Sequence, residues 1–293
     1  MKVSNLLKKI VVSVGLATAS WAAMAANDIK VMYVGPPQAG PPIIMAQAFG
    51  QALNKDGAAN SFVSHSDCVG SLKAINDNEN VVYFMSDATT LVMKRRGDNC
   101  YPKFEPKDIV GTMSSSWHIC KKPGTPNMSS KKFIFGTTTV LPGEGVVRDL
   151  NKRNGIGAVN VGMKSSSQIL AAVLSGDVDF GMINPGVAEP LMAEGKLSCP
   201  LTFIPQGTDA VPSKNFIGNT YDMTIPDLRC QYLMVLKTKD PKVREQVLKA
   251  AQGGEFTKFL QTNSYIDVQI DNFKTSDVEN FNNRMVTTEK ELY

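Results

Sequence analysis

One unit recurs along the chain: a short β-rich run, a loop of small or hydroxyl residues, then an apolar stretch of helical period. Residues 29–34 read as a strand, 36–42 as its loop and 43–53 as the helix that follows. The unit returns at 81–85, with Ser86, Asp87, Ala88, Thr89 and Thr90 leading into the next helix. A break at Lys121-Lys122-Pro123-Gly124-Thr125-Pro126 precedes a fresh start. There 133–135 is the strand, Gly136-Thr137-Thr138-Thr139 the loop and 143–153 the helix. Strands alternating with helices build parallel or mixed sheets with helices on their faces.

The restart predicts an α/β chain of two lobes, each a mixed sheet flanked by helices, with a ligand cleft between them. Lobe 1 is expected from residues 26–122 and 226–293, and lobe 2 from 123–225. The crossings are expected near 121–126 and 223–230. The run Gln231-Tyr232-Leu233-Met234-Val235-Leu236 is the strand that returns to lobe 1. A helix follows it, with Asp240 as N-cap and Pro241 in the first turn. Further helices are expected over about 255–262 and 276–290.

Residues 1–25 stand apart. Lys2, Lys8 and Lys9 precede an apolar stretch over 10–19, and Ala23-Met24-Ala25 offers small residues two apart. That is the pattern of a cleaved export leader, and it predicts a periplasmic protein. The whole chain has 31 basic and 27 acidic residues, a balance of +4. Without the three leader lysines the balance is 28 against 27, or +1. Such a chain has no basic excess for nucleic acid or for an anionic membrane surface.

An exported chain uses cysteines for disulfides by default. Cys68, Cys100, Cys120, Cys199 and Cys230 allow at most two bridges and one free thiol. Cys68 and Cys100 are expected to pair, the alternative being that one of them pairs with Cys120. With no Cys-x-x-Cys and only His65 and His118, no metal site and no cofactor are expected.

The loops carry the candidate chemistry. A helix N-terminus presents free N–H groups and the positive end of a dipole, so two termini aimed at one cleft hold an anion. The candidates are Gln38, Ala39 and Gly40; Ser86, Asp87 and Thr89; Gly136, Thr137, Thr138 and Thr139; and Ser165, Ser166 and Ser167. Asn184 adds a side-chain amide. Singly, a Ser or Thr before a helix is ordinarily just a cap; several such loops in one exported two-lobe chain point to a binding site. Catalysis finds less support. Gly-x-Ser-x-Gly is absent. His118 reads as structural, His65 as an exposed loop residue, Asp177 and Asp179 as a turn, and Glu144 as a first-turn acid.

Several stretches resemble the substrate-binding receptors of tripartite tricarboxylate transporters, the Bug receptors. They are the opening strand and Pro-Gln-Ala-Gly-Pro-Pro loop, the strand and hydroxyl loop of 82–90, and Phe135-Gly136-Thr137-Thr138-Thr139. The fullest match is Ser165-Ser166-Ser167-Gln168-Ile169-Leu170, then Gly176-Asp177-Val178-Asp179, then Ala193-Glu194-Gly195-Lys196-Leu197. Asp240-Pro241-Lys242-Val243-Arg244 resembles the family's Asp-Pro-x-Val-Arg segment. The first loop is less glycine-rich than the family's, and five cysteines are unusual for it. A monomer is expected, and the resemblance implies a type II periplasmic-binding fold. It also implies a small carboxylate gripped by backbone amides of both lobes, and delivery to a membrane permease. A receptor for a phosphonate or phosphate is the first alternative and an exported hydrolase the second.

Overall fold

The computed structural model describes residues 28–34, 41–64, 68–95, 102–138, 142–205 and 213–292. The expected leader, Gln38, Ala39, Gly40, Thr139, His65 and the Cys68–Cys100 bridge lie outside what it describes. Among the described residues no helix is long and apolar enough to cross a membrane.

Lobe 1 holds a six-stranded sheet. Strand β1 (Ile29–Tyr33) pairs in parallel with β2 (Asn60–Val63) and β3 (Val81–Ser86). On the far side of β3 lie β10 (Cys230–Lys237), β4 (Ile109–Ser115) and β11 (Ile266–Ile270), all antiparallel neighbours. Every residue of β3 is buried. Its sequence, Val-Val-Tyr-Phe-Met-Ser, is therefore a continuous apolar run rather than an alternating one, as expected of a strand covered on both faces. Helices α1 (Pro41–Lys55), α7 (Pro241–Gln252) and α8 (Gly254–Thr262) pack on one face. There Phe49, Phe84 and Phe256 meet edge to face with centroids 5.1–6.3 Å apart. Helix α2 (Cys68–Asp77) and the C-terminal helix α9 (Thr275–Leu292) contribute to the other core, through Ile75 and Phe281.

Lobe 2 repeats the scheme with five strands. Strand β6 (Phe133–Thr138) is parallel to β7 (Ala158–Met163) and β8 (Phe180–Ile183), and β5 (His118–Lys121) and β9 (Ser198–Thr202) complete the order β7-β6-β8-β5-β9. Helix α4 (Gly143–Asn154) covers one face, while α5 (Ser166–Ser175) covers the other and packs on α6 (Pro185–Ala193). Gly136 and Gly181 are register partners on β6 and β8. A Cβ on Gly181 would stand 2.3 Å from Ile169 Cγ2, and one on Gly136 would stand 3.2 Å from it. These glycines let α5 lie close on the sheet.

The first crossing differs from expectation. The stretch 109–120 reads as one extended piece, but β4 belongs to the first sheet and β5 to the second. The chain changes lobes at Ser116-Trp117, not at 121–126. Lys121-Lys122-Pro123-Gly124 is a turn within lobe 2, where the Lys121 ammonium donates to Thr125 O at 2.7 Å and Asn127 Oδ1 at 2.8 Å. Lysine, proline and glycine announce a turn, not which turn it is. The return passes from Leu228, in the lobe 2 core, to Cys230, in the lobe 1 core. The two crossings touch: the Ser116 hydroxyl donates to Leu228 O at 2.6 Å.

Cys120 is bonded to Cys199, joining β5 to β9. This overturns the alternative pairing of Cys120 with Cys68 or Cys100. Cys230 is a free, buried thiol.

Candidate functional site

In each lobe the order of the strands reverses beside the first parallel strand, and ligands of open α/β sheets bind outside the carboxyl ends of the strands at such a point. Here the two carboxyl edges face each other across a cleft of about 180 Å³, floored by the crossing residue Trp117. Ordinary small-molecule pockets run from roughly 300 to 1,000 Å³, so the occupant is small.

Four helices begin at this cleft, and they differ in what their first turns still offer. Helix α1 starts with Pro41 and Pro42, which have no N–H to give. Helix α3 (Asp87–Arg95) caps itself: Asp87 Oδ1 accepts from Ala88 N at 2.7 Å and Ser86 Oγ accepts from Thr89 N at 3.1 Å. Helix α6 starts with Pro185, and its N-cap Asn184 takes Gly186 N on Oδ1 at 3.2 Å and Val187 N on its carbonyl at 3.0 Å. In α5 the cap Ser165 takes Gln168 N on Oγ at 3.3 Å and Ile169 N on its carbonyl at 3.1 Å, while Gln168 Oε1 accepts from Lys164 N at 3.0 Å. The amides of Ser166 and Ser167 have no partner among the described residues, as the first turn of a helix dictates. Ser166 and Ser167 line the cleft, as does Lys164.

Of the expected site residues, Ser86, Thr89, Thr138, Ser165, Ser166, Ser167 and Asn184 line this one cleft. Three do not. Gly136 lies under Ile169 and Val178. Thr137 is fully buried and its hydroxyl donates to Asn160 Oδ1 at 2.7 Å. Asp87 is turned into the protein, where Cys230 Sγ donates to Oδ1 at 3.2 Å and the Arg284 guanidinium stands 3.9 Å from Oδ2. Burial pushes its carboxyl up to about 6. A strand residue alternates between faces, and the first residue after a strand does not announce which way it turns.

No local sequence pattern announces the aromatic wall. Tyr33, Tyr232 and Tyr265 join Trp117 at the cleft, with Tyr232 and Tyr265 edge to face at 6.0 Å. Ile43, Ile44 and Val187 extend the apolar surface, and Asn263 adds a neutral polar group. Tyr265 and Asn263 follow α8, far in sequence from the candidate binding loops. Among the described lining residues Lys164 is the one charged side chain. It has no acid within ion-pair reach among them.

His118, on β5, is largely removed from water, and burial lowers its pKa to about 4. Asp177 accepts from Ser175 Oγ at 2.7 Å within the turn, and Asp179 accepts from Ile134 N on β6 at 2.7 Å and ties the turn to the sheet, so both carboxylates are structural. Among the described residues no group of His, Cys, Asp and Glu could hold a metal ion.

No protein-family model matches the sequence, and no curated protein matches it. Solved structures do match in shape. The periplasmic binding protein BugD superposes with a TM-score of 0.65 at 13% identity, covering 90% of this chain and 97% of its own. Rpa4515 of R. palustris, solved with adipate, gives 0.62 at 12% identity over 90% and 97%. MatC of Rhodopseudomonas palustris, with bound malate, gives 0.56 at 11% identity over 90% and 96%. The chain has the fold of these binding proteins. The two-lobe architecture is thus shared with these proteins.

Proposed function

We propose that this protein is a periplasmic solute-binding receptor that captures a small carboxylate between its lobes and hands it to a membrane transporter. The observation that carries the reading is the cleft itself. Its walls come from both lobes, and its one described cation stands beside two free amides at the start of α5. Backbone amides and a helix dipole bind an anion without needing a full counter-charge in every loop. Malate and adipate, named with the structures of similar fold, are carboxylates of suitable size. The export leader supports the location.

A receptor also accounts for Cys230. Burial and the neighbouring Asp87 raise its thiol well above its ordinary value, so it stays protonated and unreactive rather than serving as a nucleophile. Thermal-shift screening against carboxylates, phosphonates and amino acids tests the reading. Stabilisation by carboxylates supports it. Stabilisation by phosphonates alone replaces it with the phosphonate receptor, and turnover of an ester by the purified protein replaces it with the hydrolase.

A further inference from the structure

Many polar side chains of the cleft are already bonded within the protein. Ser86 donates its hydroxyl to Thr89 Oγ1 at 2.8 Å. Asn184 bonds Gly186 N and Ser115 Oγ, and Asn263 Nδ2 donates to Phe259 O at 2.8 Å. Tyr232 shares a hydrogen bond with Cys230, whose thiol goes on to Asp87. Tyr33 and Tyr265 differ. Both line the cleft with their rings packed in the lobe 1 core, 3% and 7% exposed, and neither hydroxyl has a hydrogen bond among the described residues. Buried tyrosines ordinarily find a partner for the hydroxyl. Neither oxygen is sealed in the interior, as Asp87 Oδ2 and Thr90 Oγ1 are. Each phenol oxygen therefore opens on the cleft that its ring lines.

Both rings are held in place by the fold itself. Tyr33 closes β1, where it is the register partner of Phe84. Tyr265 stands edge to face with Tyr232 and tilted on Phe259, each at 6.0 Å. Its N–H donates to Leu260 O at 2.9 Å, and the hydroxyl of the preceding Ser264 bonds Glu189 on α6 of lobe 2. Burial pushes the Tyr265 phenol well above its ordinary value, so it keeps its proton to donate. Donors fixed in this way lose little freedom when a ligand bonds them.

We propose that Tyr33 and Tyr265 donate their hydroxyls to an acceptor oxygen of the captured solute, and so select an acid that carries a second oxygen, hydroxyl or carboxylate, away from its first carboxylate. Lys164, the one charged side chain among the described lining residues, stands on the opposite lobe. The solute therefore spans the cleft, its first carboxylate toward lobe 2 and its second oxygen toward the two tyrosines of lobe 1. This rests on the receptor reading given above and assigns two residues to its selectivity.

Phenylalanine removes the oxygen and keeps the ring, so Tyr33→Phe and Tyr265→Phe leave the packing of lobe 1 intact. The test is calorimetry of the purified parent and both variants with two sets of acids of equal chain length. One set is succinate, 4-hydroxybutyrate and butyrate; the other is adipate and hexanoate. Butyrate and hexanoate lack the second oxygen. In at least one set the parent is expected to bind the oxygen-bearing acids about tenfold or more tightly than the plain one. Y33F and Y265F are each expected to weaken the oxygen-bearing acids about tenfold, a step of about 1.4 kcal/mol, and to leave the plain acid within about twofold. A parent that binds butyrate and hexanoate as tightly as their oxygen-bearing partners overturns the proposal and leaves the receptor reading standing. A variant that keeps the parent's selectivity overturns the assignment of its tyrosine, and so does one that weakens every acid equally, since loss of packing alone does that. No binding in either set, with no carboxylate stabilising the protein in the wider screen, overturns the receptor reading as well.

Discussion

The thiol of Cys230, at the wall of the cleft, donates to Asp87 Oδ1 at 3.2 Å. A residue expected in the binding loop is thus part of the lobe 1 interior, and its buried carboxyl is held at about 6. On the second lobe His118 is shifted the other way, to about 4. Both shifts come chiefly from loss of water.

These two groups oppose each other in their effect of pH on stability. The unfolded Asp87 ionises near pH 4 but the folded one near 6, so its contribution to stability falls as pH rises from 4 to 6 and is level above. The unfolded His118 takes its proton near pH 6.5 but the folded one near 4. Its contribution therefore falls as pH drops from 6.5 to 4. The parent should show a shallow Tm profile across this window. Asp87→Asn removes one side of the balance, so its Tm should fall clearly on acidification from pH 6.5 to 4. His118→Gln should show the reverse slope. Thermal melts at several pH values decide it; parallel profiles for the parent and both variants contradict these assignments.

The Cys120–Cys199 bond closes a loop of 79 residues. Chain-entropy reasoning gives a loop of this length about 4 kcal/mol of stability, with measured losses of about 2–5 kcal/mol on removal. Cys199→Ser should therefore lower the unfolding free energy by about that amount and, because the unfolded chain is no longer cross-linked, steepen its dependence on urea. Equilibrium unfolding in urea, with and without reductant, measures it, and a C199S curve coinciding with that of the oxidised parent would refute the pairing.

Asn184 serves two partners at once. Its Oδ1 caps α6 through Gly186 N, and its Nδ2 donates to Ser115 Oγ at 2.6 Å beside the crossing. Asn184→Ala loses both, and a lost cap alone costs about 1 kcal/mol. Asn184→Asp keeps the acceptor and loses the donor, so it should be the milder of the two. Denaturant midpoints in the order parent, N184D, N184A are expected; N184A equal to the parent would show that neither bond matters.

Much of the architecture was legible because it depends on local pattern. The apolar run of β3 announces a strand buried on both faces. Asp240 caps α7 by accepting from Lys242 N at 2.8 Å, as its position before Pro241 indicates. The restart at 133 marks the second lobe. What stayed hidden depends on contacts distant in the chain. The change of sheet at Ser116-Trp117 occurs within an unbroken extended stretch. Strand β11 is mostly exposed and irregular, with Asp267 at φ 53° and a register shift after Ile266, so it has no clean alternation to read. The hydroxyl residues Ser165, Ser166 and Ser167 were visible as a cap preceding a helix. The aromatic side of the site was not, because Tyr232 and Tyr265 come from a return strand and a late loop that only the fold brings beside Tyr33 and Trp117.

The chain has two tryptophans, Trp21 in the expected leader and Trp117 in the cleft floor. With Trp21 replaced by Phe or removed with the leader, emission reports on the cleft alone. Titration with a panel of small carboxylates, malate and adipate among them, should give a saturable change in Trp117 emission with at least one member. A flat response to every carboxylate, in protein shown to be folded by circular dichroism, would contradict capture of a carboxylate between the lobes.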